Sequence, residues 1–147
     1  MYWRISTSGV VSGPMLVVDA SCLFEVVADT PRSAEIAARL AVEPDQAAPE
    51  VVDVEVLGVI RAQYMRGALD GTAAGQAVAD LRDWPGERHS HRWMLERVWQ
   101  LRDSVRGWDA FYVTLAEALD ATLVTLDGRL ARAHGPKCRI EVLGSQG

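Results

Sequence analysis

Two short apolar runs, each ended by an aspartate, constrain this chain more than any other feature. Leu16-Val17-Val18 runs into Asp19, and Ala121-Thr122-Leu123-Val124-Thr125-Leu126 runs into Asp127. Short continuous runs rich in branched aliphatic residues suit strands covered on both faces, as in a parallel sheet between helices. An acid at the end of such a strand lies at the carboxyl edge of the sheet, where open α/β sheets hold their ligands. Left unpaired in an apolar core, it costs roughly several kcal/mol.

The rest of the pattern alternates. Strands are expected at 15–19, 47–50, 87–91, 122–126 and 140–143. Helical spacing is expected over 21–28 with Ser21 as cap, from Thr30-Pro31 to about 42, and over 53–66, 72–84, 94–102, 108–119 and 130–134. Gly67 and Pro85-Gly86 supply stops. Strands alternating with helices imply an α/β fold with a central parallel sheet. At 147 residues the chain reads as one domain over 15–147, with residues 1–14 as a flexible leader ahead of Met15.

No apolar stretch reaches the ~18 residues of a membrane span. The net charge of -5 argues against broad charge-driven nucleic-acid binding, although an acidic total can hide a local basic face. Cys22 and Cys138 lie in no CxxC and near no histidine pair at zinc spacing, so they read as small hydrophobes in a reducing cytoplasm.

Most acids need no role beyond a solvated surface. Four adjoin apolar runs: Asp19, Glu55 inside VVDVEVLGVI, Asp109 in WDAFYV, and Asp127. Asp19 and Asp127 are carried to the sheet's edge by their own strands, and Asp109 and Glu55 stand in the first turns of their helices. Each alone has an ordinary reading: a strand-end cap for Asp19, a helix cap for Asp109 and Asp127. Asp53 competes with Glu55, and is equally suited to capping that helix. Together, four carboxylates at one rim repel unless a cation sits among them. Oxygen ligation without cysteine or histidine selects Mg²⁺ or Mn²⁺.

With those residues in view, LVVDAS, APEVVDVEVLGVIR, HRWMLERVWQLRD and WDAFYVTLAEALDATLVTLDGRLARA resemble a PIN-domain ribonuclease of the VapC toxin branch, from Met15 to Leu143. The resemblance implies a PIN-like three-layer α/β/α fold. It also implies a Mg²⁺-dependent endoribonuclease, the toxin of a toxin–antitoxin pair. Its metal-binding and catalytic acids are Asp19, Glu55, Asp109 and Asp127, with Ser21 and Thr125 supporting the site. An RNA substrate, a VapB-like antitoxin and a homodimer follow from the same resemblance. Docking of the antitoxin is expected on the early helices around Leu23, Val27, Ile36 and Leu40. Trp108 stands where many relatives have tyrosine.

Arg129 and Arg132, with Lys137 and Arg139, offer a phosphate-contacting rim or a solvated basic helix end. Arg102 and Arg106 are similarly open. His89 and His91 alternate on an expected strand, as a metal pair or as ordinary histidines. Trp93 and Trp99 read as core or dimer packing. An aspartyl phosphatase would need a second acid where Ser21 stands, and no GxGxxG follows the first strand. A degenerate PIN domain that binds without cutting is the remaining alternative.

Overall fold

The structure is a computed structural model and describes residues 14–144. The expected leader, apart from Pro14, lies outside the described residues. The strands are β1 (Leu16–Val18), β2 (Gln46–Pro49), β3 (Glu87–His89), β4 (Thr122–Thr125) and β5 (Arg139–Val142). They form one sheet in the order β3-β2-β1-β4-β5, and every pairing is parallel. Between them run α1 (Ala20–Val27), α2 (Ser33–Val42), α3 (Val51–Met65), α4 (Gly71–Asp83), α5 (Leu95–Gln100), α6 (Asp109–Leu119) and α7 (Gly128–Ala131). The expectation of a PIN-like α/β arrangement with a central parallel sheet is borne out.

The order of strands fixes where a site can form. The chain steps outward from β1 to β3, then crosses back past β1 to add β4 and β5. Right-handed crossovers taken in opposite directions put their helices on opposite faces of the sheet. Accordingly α1 packs against α2, α3 and α4, while α6 packs on β1 and β2 and carries α5. The reversal falls between β1 and β4, and the crevice beyond their carboxyl ends is the natural ligand position. Leu16, Val17, Val18, Leu123 and Val124 have no exposed surface. Each fully buried side chain of this kind contributes about 1.5–3 kcal/mol.

Several boundaries differ from the sequence pattern, each for a physical reason. α1 begins at Ala20 with Asp19 at its cap position, because the Ser21 hydroxyl is turned to the Asp19 carboxylate instead of capping. α3 starts two residues earlier than its pattern. His91 Nε2 accepts the backbone N–H of Val51 at 3.0 Å, a partner forty residues away that no local pattern reveals. β3 stops at His89, so His89 and His91 do not share a strand face. The expected helix over 94–102 divides into a 3₁₀ turn, Arg92–Met94, and α5. α7 comes early because Asp127 caps it, accepting Arg129 N–H at 2.9 Å.

Leu23, Val27, Ile36 and Leu40 belong to the core, at most 4% exposed. They turn inward from α1 and α2, so the docking surface expected of them does not exist. Among the described residues no helix is long and apolar enough to cross a membrane, and both cysteines are free.

Candidate active site

Asp19 follows β1 directly, and its carboxylate is pinned by two hydroxyls. Ser21 Oγ donates to Asp19 Oδ2 at 2.8 Å and Thr125 Oγ1 donates to the same oxygen at 2.6 Å. Each hydroxyl in turn accepts a backbone N–H of the chain leaving β4, Ser21 from Leu126 and Thr125 from Asp127, both at 3.1 Å. A hydroxyl that accepts an amide hydrogen has its own hydrogen left to give, so the direction of both bonds is set. The arrangement stitches the ends of β1 and β4 together. It leaves Asp19 Oδ1 clear of both hydroxyls.

Glu55 lies in the second turn of α3, not its first. Tyr112, fully buried on α6, donates its phenolic hydrogen to Glu55 Oε1 at 2.7 Å. The other candidate on this helix is engaged elsewhere: Asp53 forms a fork with Arg88, at 3.0 and 3.2 Å. Arg88 also donates to the Leu81, Trp84 and Gly86 carbonyls at the end of α4. Asp53 is thus a structural ion-pair partner. Asp109 opens α6 without capping it. Asp127 caps α7 and also forms an ion pair with the Arg129 side chain.

All four expected acids line one open cleft of about 1050 Å³, with Ser21, Arg106, Trp108 and Arg129. They come from four different parts of the chain. Burial raises the Asp19 carboxyl above its ordinary range, against the pull of its two hydroxyl donors, and the Asp127 charge pushes the same way. Burial likewise raises Glu55, with Asp19 and Asp109 adding to it. Asp109 is pushed up to about 6 by burial and then by Asp19 and Asp127. Asp127 is held low by the Arg129 guanidinium. Three of the acids therefore carry a cost that a cation would relieve.

Among the described residues no three Asp, Glu, His or Cys side chains already stand in ligating geometry around one point. Three of the four carboxylates are held by partners of their own: Asp19 by two hydroxyls, Glu55 by the Tyr112 hydroxyl and Asp127 by the Arg129 guanidinium. The donor set, hard oxygens with spare lone pairs on Asp19 and Glu55, fits Mg²⁺ or Mn²⁺.

Other expected residues fall away from the cleft. Arg132 does not line it, and its guanidinium lies against Gly128. Arg139 donates to the Thr122 hydroxyl, and the Lys137 backbone N–H to Glu117. Arg102 stacks over the Trp99 ring. His89 lies 3.5 Å from Glu87, while His91 packs on Phe111, so they are no metal pair. Trp93 and Trp99 are 50% and 67% exposed rather than in the core. Tyr112 is the functional candidate the sequence pattern missed. Its one signal is its place one helical turn after Asp109.

The PIN domain profile matches residues 16–136. The chain belongs to the PIN-domain family. Among its relatives, Ribonuclease VapC12 of Mycobacterium tuberculosis is 37% identical over 129 residues, covering 88% of this chain and 99% of that protein. Ribonuclease VapC3 of the same species is 40% identical over 119 residues, covering 80% of this chain and 86% of the relative. These likenesses put the chain in the VapC branch of PIN domains. Two solved structures share its fold. PAE2754 from Pyrobaculum aerophilum has a TM-score of 0.64 at 20% identity, covering 88% of this chain and 84% of its own. VapBC2 from Rickettsia felis, bound to a DNA fragment from its promoter, has a TM-score of 0.61 at 16% identity, covering 87% and 98%.

Proposed function

We propose that this PIN domain is a divalent-metal-dependent endoribonuclease and the toxin of a toxin–antitoxin pair. The observation that carries the reading is the meeting of Asp19, Glu55, Asp109 and Asp127 on one cleft, two of them fixed by buried hydroxyls. Relatives named as VapC ribonucleases over most of this chain's length support it.

Bound among these acids, Mg²⁺ or Mn²⁺ supplies an activated water and positive charge for the phosphate oxygens. The chain's own residues hold and aim. Ser21 and Thr125 keep one Asp19 oxygen occupied and present the other, and Tyr112 does the same for Glu55. Asp109 and Asp127 complete the carboxylate set. Arg106 and Arg129 line the same cleft and suit the phosphates of an RNA strand. Trp108, 60% exposed at the cleft, offers a flat face for a base.

A VapB-like antitoxin and a homodimer belong to the same reading. The exposed apolar side chains Val54 and Leu57 on α3, and Trp93, Leu95 and Trp99 around α5, are surface suited to such partners. With both cysteines free, the cytoplasm is the compartment we infer.

The deciding experiment treats cellular RNA with the purified protein in Mg²⁺ or Mn²⁺, with and without EDTA, and maps the new ends. Discrete ends that require the metal are expected. Cleavage that survives EDTA, or no cleavage in either metal, would overturn the proposal.

A narrower expectation concerns Tyr112. Tyr112→Phe keeps the ring in the core and removes only the bond to Glu55. A hydrogen bond to a charged group contributes about 1.5–3 kcal/mol. This one is already made without metal, so its loss falls mainly on the fold, and Mn²⁺ affinity should fall by roughly a few-fold as Glu55 loses its aim. Manganese paramagnetic resonance measures this directly. An unchanged affinity would make Tyr112 a packing residue only.

A further inference from the structure

The four acids are not held alike. Asp19 and Glu55 are positioned by neutral hydroxyls, which fix a carboxylate while leaving its charge and one oxygen for another ligand. Asp127 is held by a cation that takes both oxygens. Arg129 Nε donates to Oδ1 at 3.1 Å and Nη2 donates to Oδ2 at 3.2 Å. A carboxylate closed by a guanidinium fork cannot chelate a metal ion through the same lone pairs until the fork opens. The fork is easily opened: the Arg129 side chain is 66% exposed, and such pairs are weak. The Arg129 backbone N–H also binds Oδ1 at 2.9 Å, so Asp127 stays aimed after the side chain leaves. Arg129 and the other three acids line one cleft.

We propose that Arg129 is an exchangeable counter-ion. It closes Asp127 in the metal-free protein and passes to a phosphate of the bound RNA when a divalent cation takes Asp127. This rests on the proposed nuclease reading and adds a consequence. Metal and RNA must favour each other's binding, because each removes the partner that the other's site competes with, and such coupling is reciprocal.

The test uses the full chain and its Arg129→Lys and Arg129→Ala variants. Mn²⁺ affinity is read by paramagnetic resonance without RNA, and KM is read on a labelled single-stranded RNA at saturating Mn²⁺. Lysine keeps the charge but cannot form the fork. If the fork closes Asp127, both variants should bind Mn²⁺ about two- to fivefold more tightly, the range that one exposed ion pair commands. KM for RNA should rise, roughly tenfold for Arg129→Ala and less for Arg129→Lys.

Tighter Mn²⁺ binding in Arg129→Ala alone would mean a simple field effect and overturn the exchange, as would unchanged affinity in both. Tighter Mn²⁺ with an unchanged KM would overturn the passage to RNA. If the unaltered chain binds no Mn²⁺, the metal-centre reading itself fails and the exchange falls with it.

Discussion

Glu55→Gln should lower RNA cleavage by about two to three orders of magnitude, the scale on which losing one preorganised charge-stabilising group is felt. Glutamine still accepts the Tyr112 hydrogen bond, so the side chain keeps its place and only the charge is lost. The fold should not weaken, because the carboxylate removed is one that burial already disfavours. Asp53→Asn is the matched control two residues away. It loosens the fork with Arg88, but Arg88 keeps the Leu81, Trp84 and Gly86 carbonyls, so the cost should be within about 1 kcal/mol. Its cleavage should remain near that of the unaltered chain. The assay is RNA cleavage at saturating Mg²⁺ beside a thermal melt of each variant. Loss confined to Asp53→Asn would reverse the assignment, and equal loss from both would remove the reason to prefer Glu55.

That pair shows how far the sequence could be read. The strands ending in Asp19 and Asp127 were legible, because a continuous apolar run closed by a charge fits a buried strand that reaches the sheet's edge and little else. That Asp19, Glu55, Asp109 and Asp127 would meet at one cleft was legible too, because each adjoins an apolar run. The choice between Asp53 and Glu55 was not. Both sit near the start of one helix, and what separates them is Arg88 and Tyr112, 35 and 57 residues away. The same holds for the start of α3, set by His91 across the sheet's edge. The error over Leu23, Val27, Ile36 and Leu40 has another origin. Apolar spacing on a helix marks a face to be buried, and the chain's own core claims that face before any partner can. Surface apolar residues such as Val54 and Leu57 lie on a helix that is apolar nearly all round, where periodicity cannot tell the inner side from the outer.

Asp19→Asn should act in opposite directions on the metal-free fold and on the reaction. Asparagine has nearly the same shape, and its carbonyl oxygen can accept both the Ser21 and Thr125 hydroxyls that now bind Oδ2. The change removes a buried charge, one that also raises the carboxyls of Glu55 and Asp109. In EDTA at neutral pH the variant should melt at the same temperature as the unaltered chain or higher. The pH dependence has a definite sign. An acid whose folded pKa lies above its ordinary value takes up a proton on folding, so it makes stability fall as pH rises. For Asp109 the window runs from its ordinary 3.8 to about 6. Asp109 should therefore make the metal-free chain lose stability over that window, and the raised Asp19 and Glu55 carboxyls act with the same sign. In Asp19→Asn the loss should be smaller, since one buried acid is gone and its push on Asp109 with it. Added Mg²⁺ should stabilise the unaltered chain, because a ligand that binds only the folded state raises stability with occupancy. The variant should gain far less, and its cleavage should fall by about two to three orders of magnitude. Melting curves in EDTA and in Mg²⁺ across this pH range, beside the cleavage assay, read all of these at once. A plain strand-end cap predicts the reverse: a lower melt in EDTA, an undiminished response to Mg²⁺ and full activity. That pattern would remove Asp19 from the metal site and leave its two hydroxyl bonds as ordinary fold stabilisation.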